Sequence, residues 1–324
     1  MTTLAAPPAA RAPEPAGPLG VVAAGLSFRN PLVLASGTAG YGRELDRVVR
    51  LDRLGGITTK AVSVAPRAGA PAPRVGEFAG GMINAVGLAN PGMDAVARDH
   101  LPWLADRLHG GETRVLVNVV GFAVDEFPRV VERLGDAPGV DAFELNVSCP
   151  NVKCGGMEFG ADPASLRAVV AGARGATRRP LFVKLSPTLP DIVASARTAA
   201  DAGADGITLV NTLPGLVIDV DRRRPALGFG SGGVSGAGLL PVGVLAAWKV
   251  SRAVSLPIIG LGGVRSATDA LQYLLAGATL VGVGTAAMQD PRLPERVVDG
   301  LATWCDRHGV DRLSTLIGAL EWPS

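Results

Sequence analysis

From residue 31 onward, short apolar runs alternate with longer stretches whose apolar positions recur every three or four residues. The short runs predict strands at Leu32–Ser36, Ile57–Val62, Val115–Val120, Ala142–Val147, Leu181–Leu185, Gly206–Val210, Pro257–Leu261 and Leu280–Val283. The longer stretches predict helices at Glu44–Leu54, Met93–Leu108, Asp125–Leu134, Pro163–Ala176, Pro190–Ala202, Leu239–Val254, Ala267–Ala276 and Leu293–His308. Such a succession of strand-helix units predicts an α/β fold of the (β/α)8 TIM-barrel class. A doubly wound open sheet, the competing architecture, seldom needs so many consecutive repeats. Two connections, residues 63–91 and 211–238, are longer than a minimal barrel requires. Both follow strands, so they are expected as long loops over the C-terminal face, where barrels place their sites.

Composition sharpens this in three places. With 48% hydrophobic and 19% charged residues the chain can bury a large core, and its 43 glycines imply tight turns or close approaches of backbone to a ligand. The formal charge of +2 comes from 31 basic and 29 acidic residues spread along the chain, which leaves no footprint for nucleic acid. Arg222–Arg224 is the one dense basic run and reads as a solvated loop. Residues 1–19 are Ala/Pro-rich and read as a disordered extension rather than a signal peptide, with residues 20–324 as a single barrel domain. No apolar run approaches the roughly 18 residues of a membrane span, so no membrane partner is expected and the cytoplasm is the expected compartment.

The chemistry concentrates in Glu144-Leu-Asn-Val-Ser-Cys-Pro-Asn-Val-Lys-Cys-Gly-Gly, where a buried strand ends in a turn bearing Asn146, Ser148, Cys149 and Asn151. Carboxamides offer donors and acceptors without charge, which suits a flat ring with alternating C=O and N–H groups, and a thiol that can ionise is a candidate base or nucleophile. Polar residues recur at the other strand ends: Ser36, Lys60, Asn118, Lys184, Asn211 and Thr212. Glycines follow the last two strands, in Gly260-Leu-Gly-Gly and Val281-Gly-Val-Gly-Thr, where barrels commonly hold a phosphate. Of the three cysteines, Cys154 and Cys305 read as small structural hydrophobes. No metal is expected, because Cys149 and Cys154 lack a zinc spacing, His100, His109 and His308 lie far away in sequence, and a two-iron cluster usually takes four cysteines.

These segments resemble the FMN-dependent dihydroorotate dehydrogenases. The resemblance runs from Pro31 to the last helix, through Ala35-Ser-Gly-Thr, Thr59-Lys-Ala-Val, Asn84-Ala-Val-Gly-Leu-Ala-Asn-Pro-Gly, Asn118-Val-Val-Gly, the Asn146 turn, Lys184-Leu-Ser-Pro, Asn211-Thr-Leu, Gly232-Gly-Val-Ser-Gly and Val283-Gly-Thr. Cysteine in the Ser-Cys-Pro-Asn turn is similar to the soluble class 1 enzymes, and Asn-Val-Lys-Cys-Gly-Gly to their 1B branch. The resemblance implies oxidation of dihydroorotate to orotate in pyrimidine biosynthesis, with Cys149 as the general base. It implies FMN held by Ser36, Lys60, Ala61, Asn118, Asn146, Lys184, Val210, Gly236, Gly262, Gly263, Gly284 and Thr285. It implies substrate held by Lys60, Asn84, Ala85, Val86, Gly87, Leu88, Asn146, Asn151, Asn211 and Thr212. A homodimer, and an electron-transfer subunit carrying FAD and a 2Fe-2S cluster, are the implied partners. Ala237-Gly-Leu-Leu-Pro departs from the proline and lysine usual in the sixth loop of the 1B branch. A paralogue acting on another cyclic amide, a phosphate-binding barrel without redox function and an interaction scaffold are the competing readings.

Overall fold

The structure is a computed structural model that describes residues 14–15, 17–148, 150–151 and 157–323. Eight parallel strands close into a barrel in sequence order: Leu32–Leu34, Gly56–Thr58, Arg114–Val119, Ala142–Asn146, Leu181–Leu185, Gly206–Leu209, Ile258–Leu261 and Leu280–Val283, the last pairing with the first. The TIM barrel expected from the periodicity is therefore present, and the open sheet is excluded by the closing pair. The second strand stops earlier than its apolar run. Thr59 N still donates to Leu116 O at 2.9 Å, but Lys60 and Ala61 leave the ladder, Lys60 N donating to Gly40 O at 2.7 Å, and Val62 rejoins as a single bridge to Val119. That break turns Lys60 and Ala61 toward the barrel mouth.

Outside the barrel, the helices present Leu, Val and Ala to one continuous core. Several begin on side-chain caps: Asp162 accepts from Ser165 N, Asp191 from Val193 N and Ala194 N, and Ser266 from Asp269 N. The helix expected at Glu44–Leu54 does not form. Turns occupy the stretch up to a 3-10 segment, Leu51–Arg53. Its polar groups bond elsewhere: Glu44 accepts from Tyr41 N at 3.2 Å, Arg50 N donates to Glu295 at 3.0 Å, and Asp46 pairs with Arg107. The helix expected at Met93–Leu108 is interrupted by a π-helical turn, Val96–His100, between Met93–Ala95 and Leu101–Arg107. Pro102 explains the shift of register, because it has no N–H to give to the carbonyl one turn back.

At the N-terminal end a hairpin, Val21–Ala23 with Leu26–Phe28, plugs the barrel, Phe28 packing with Val33, Leu116, Ala142, Phe182 and Ile259. Pro18 O accepts from Leu313 N at 2.9 Å and Leu19 packs on the core, while residues 1–13 of the expected extension lie outside the described residues. At the C-terminal end the two long loops are not irregular. They pair with each other in an antiparallel sheet of Leu213–Gly215, Gly232–Ser235, Gly81–Asn84 and Val75–Phe78, in which Gly233 faces Asn84 and Val234 faces Ile83. Glycine permits the close approach: a Cβ on Gly232 would lie 2.5 Å from Asn84 O. Among the described residues no helix is long and apolar enough to cross a membrane. Cys305 is buried and unpaired, as expected of a structural thiol.

Candidate active site

Alternate residues of each strand face the barrel interior, so the period of two that builds the apolar floor also builds what lies above it. Leu116, Ala142 and Phe182 belong to the floor, and two residues further along each strand stand Asn118, Glu144 and Lys184. Thr208 joins this layer from the sixth strand, above Gly206, whose Cβ would meet Phe182 at 2.3 Å. All four polar residues are buried. Their hydrogen bonds cross the barrel interior, one between adjacent strands and two between strands that are not neighbours. Asn118 Nδ2 donates to Glu144 Oε1 at 2.7 Å, and Thr208 Oγ1 donates to Glu144 Oε2 at 2.9 Å. Lys184 Nζ donates to Ser36 Oγ at 3.2 Å. Asn118 Oδ1 is buried and has no partner among the described groups.

One step higher, at the strand ends, the carboxamides meet. Asn211 Nδ2 donates to Asn146 Oδ1 at 3.4 Å, which also accepts from Ser148 N at 3.3 Å. Asn211 Oδ1 accepts from Thr212 N at 2.8 Å, and Asn84 Nδ2 donates to Gly233 O at 3.2 Å. Asn84 thus belongs to the same site although it lies on the mouth sheet.

A cavity of about 970 Å³ opens between this polar layer and the sheet. Ser36, Lys60, Ala61, Asn118, Asn146, Lys184 and Val210 line it from the strand ends, together with Asn211 and Thr212. Asn84, Ala85, Val86, Gly87 and Leu88 line it from the loop, and Gly236, Gly262, Gly263, Gly284 and Thr285 from the turns of the last three units. Cys149 and Cys154 lie outside the described residues, as does the side chain of Asn151.

The glycine wall is shaped by neighbours. A Cβ on Gly263 would lie 2.5 Å from Leu240 N, and one on Gly236 2.6 Å from Gly81 Cα. Tyr273 OH donates to Gly262 O at 2.8 Å and holds the turn after the seventh strand. Its ring fits there because Gly260 and Gly243 have no side chains: a Cβ on Gly260 would come within 2.3 Å of it. Burial pushes the Tyr273 phenol well above its usual range, so it stays a neutral donor. The sixth-loop departure forms a 3-10 turn, Ala237–Leu239, on this wall.

Sequence reasoning missed Glu144, Thr208, Glu158, Ser186 and Thr188. Glu144 and Thr208 were within reach of a period-two reading, since each sits two residues before a candidate, Asn146 or Val210. Glu158 gives no such signal. It enters through the pairing of Met157–Glu158 with Pro150–Asn151, and Thr188 Oγ1 donates to its Oε1 at 3.1 Å. Burial raises the Glu158 carboxyl above its ordinary value, against the opposing pull of the Thr188 and Ser186 hydroxyls.

The family model described as dihydroorotate dehydrogenase matches residues 19–304. A relative from Pelobacter propionicus, the catalytic subunit of dihydroorotate dehydrogenase B (NAD(+)), is 48% identical over 92% of this chain and 97% of its own. Proteins of the same name from Desulforudis audaxviator and Trichlorobacter lovleyi are 47% and 46% identical, over 92% and 91% of this chain and 96% of theirs. The crystal structure of DHODH from Eimeria tenella in complex with ferulenol superposes with a TM-score of 0.79, covering 93% of this chain and 88% of that one at 24% identity, a likeness of fold. The B-type names agree with the 1B resemblance of the Asn-Val-Lys-Cys-Gly-Gly turn. A match over most of the chain places it in the dihydroorotate dehydrogenase family, as a catalytic chain of the 1B branch.

Proposed function

We propose that this cavity oxidises (S)-dihydroorotate to orotate for pyrimidine biosynthesis, with FMN as the bound oxidant. The carrying observation is the meeting in one cavity of two ammonium groups, Lys60 and Lys184, an unpartnered buried acceptor, Asn118 Oδ1, and the carboxamides of Asn84, Asn146 and Asn211. These groups suit two stacked planar ligands. The lower layer fits the flavin ring, with Ser36, Ala61 and Val210 beside it, and the glycine wall from Gly236 to Thr285 fits its ribityl phosphate. The carboxamides, with Ala85–Leu88 and Thr212, fit a pyrimidine ring bearing a carboxylate, and the family resemblance assigns Asn151 to the same ring. A paralogue specific for another cyclic amide is not favoured, because relatives at 48% and 46% identity carry the dihydroorotate name.

When bound, FMN supplies a hydride acceptor for carbon 6 of the substrate ring. The chain's own residues do the rest. Cys149, three residues past Asn146 in the sequence, takes the proton from carbon 5. Lys60 and Lys184, which line the cavity, would hold the flavin ring and would supply positive charge there. Asn84, Asn146 and Asn211 fix the pyrimidine so that the two carbon centres are aligned for loss of their hydrogens.

The reading further assigns a homodimer, with residues 20–324 as one FMN-binding unit. It assigns a partner subunit, carrying FAD and a 2Fe-2S cluster, that takes the electrons onward. The subunit wording of the relatives' names supports the partner. The reading also assigns the cytoplasm as the compartment. Anaerobic mixing with dihydroorotate is the test: the flavin absorbance bleaches and orotate appears, and denatured protein releases one FMN per chain. FAD in its place, or a bound flavin that dihydroorotate leaves oxidised, overturns the reading.

A further inference from the structure

We infer that Glu144 is a positioning residue, which clamps the Asn118 carboxamide so that Oδ1 is presented to the cavity as an acceptor for a ring N–H. Asn118 and Glu144 are register partners on adjacent strands, 0% and 2% exposed. A carboxyl group in this layer is costly where a leucine would pack. Both of its oxygens are used here, accepting from Asn118 Nδ2 at 2.7 Å and Thr208 Oγ1 at 2.9 Å.

That bond decides which way the carboxamide faces. An amide nitrogen given to Glu144 turns the amide oxygen away from it, and Asn118 lines the cavity. The backbone does not claim that oxygen: Asn118 N donates to Thr59 Oγ1 at 3.2 Å, and Oδ1 itself has no donor among the described groups. A buried acceptor of this kind asks for a donor from whatever fills the cavity. Oxidised isoalloxazine carries one N–H on its ring edge, between two carbonyls. The inference therefore rests on the FMN reading, and assigns to Glu144 the orientation of the group that reads that edge.

The test is FMN affinity, measured by fluorescence titration of flavin-stripped protein, in a double-mutant cycle. Glu144→Leu frees the carboxamide to flip, and weakens FMN by about 10-fold or more, the scale of a buried group left unsatisfied. Asn118→Ala weakens it similarly. In the Asn118→Ala background, Glu144→Leu then costs nothing further. Glu144→Gln keeps an acceptor for Asn118 Nδ2 and a donor for Thr208, so it stays within about 3-fold of wild type.

A second cycle covers the case in which Glu144→Leu does not fold. Asn118→Asp sets one carboxyl group against another and weakens FMN. Adding Glu144→Gln restores a donor and recovers affinity, so that the same substitution that is neutral alone becomes favourable. Additive losses in the first cycle, or absence of rescue in the second, overturn the assignment of Glu144 while leaving the cofactor reading intact. A wild-type chain that binds no FMN overturns both.

Discussion

Lys184 on the fifth strand reaches across the barrel mouth to Ser36 beyond the first, Nζ donating to Oγ at 3.2 Å. These strands lie on opposite sides of the barrel, so the bond holds a buried ammonium inside the cavity rather than at its rim. Lys184→Met removes both the charge and its hydrogen bonds, and is expected to weaken FMN by about 10- to 100-fold, the equivalent of about 1.5–3 kcal/mol for bonds to a charged group. Ser36→Ala removes only the local acceptor and is expected to cost less than about 10-fold. Fluorescence titration compares the two, and a larger effect at Ser36 would show that the hydroxyl, rather than the ammonium, is what the cofactor meets.

Cys149→Ala is expected to retain FMN and bind orotate, yet slow anaerobic flavin reduction by about 100-fold or more, the scale of a lost general base. Cys149→Ser is expected to be slow as well near neutral pH, because an unassisted hydroxyl is a far weaker acid than a thiol. The wild-type rate rises with pH as the thiol ionises, and that rise is absent from the alanine variant. Stopped-flow absorbance across pH measures all three proteins; reduction of Cys149→Ala at the wild-type rate removes this residue from the mechanism.

Glu158 should leave a mark on stability. Burial raises its carboxyl in the folded state, so the native protein binds its proton more tightly than the unfolded chain does. The contribution is therefore fully present below the ordinary carboxyl value of 4.5 and lost as pH rises through the raised one. Glu158→Gln removes this dependence. Denaturant melts from pH 4 to 7 are expected to show wild type falling relative to the glutamine variant as pH increases, and parallel curves would contradict the burial argument.

The mouth sheet depends on Gly236, whose φ of +125° and close contact with Gly81 leave no room for a side chain. Gly236→Ala is expected to lose about 1–3 kcal/mol of stability, the cost of a non-glycine residue in such a conformation, and to lose FMN with it. Gly238 lies two residues away, and nothing stands within 4 Å of the place a methyl group would take there. Gly238→Ala therefore serves as the control and is expected to melt like wild type. Equal melting of both variants would mean that the turn relaxes without consequence.

Period-two and period-three-to-four patterning decided the architecture, because strand and helix spacing are local properties and eight repeats admit few closures. The same patterning, with the motif resemblance, brought out the polar strand-end residues and the glycine turns that line the cavity, since a barrel delivers its strand ends to one face whatever the details between them. What the chain did not disclose on its own depends on contacts between distant segments. The stretch from Glu44 to Leu54 has helical spacing, yet Glu295 and Arg107 draw its polar groups into turns. Residues 63–91 and 211–238 read as loops separately and become a sheet only against each other. By sequence Glu144 is one more residue of a buried strand, and only the barrel sets Asn118 and Thr208 on either side of it. Local sequence sets which way a side chain points, and tertiary structure alone decides what it meets there, because hydrogen-bond partners some 26 and 64 residues apart share no local signal.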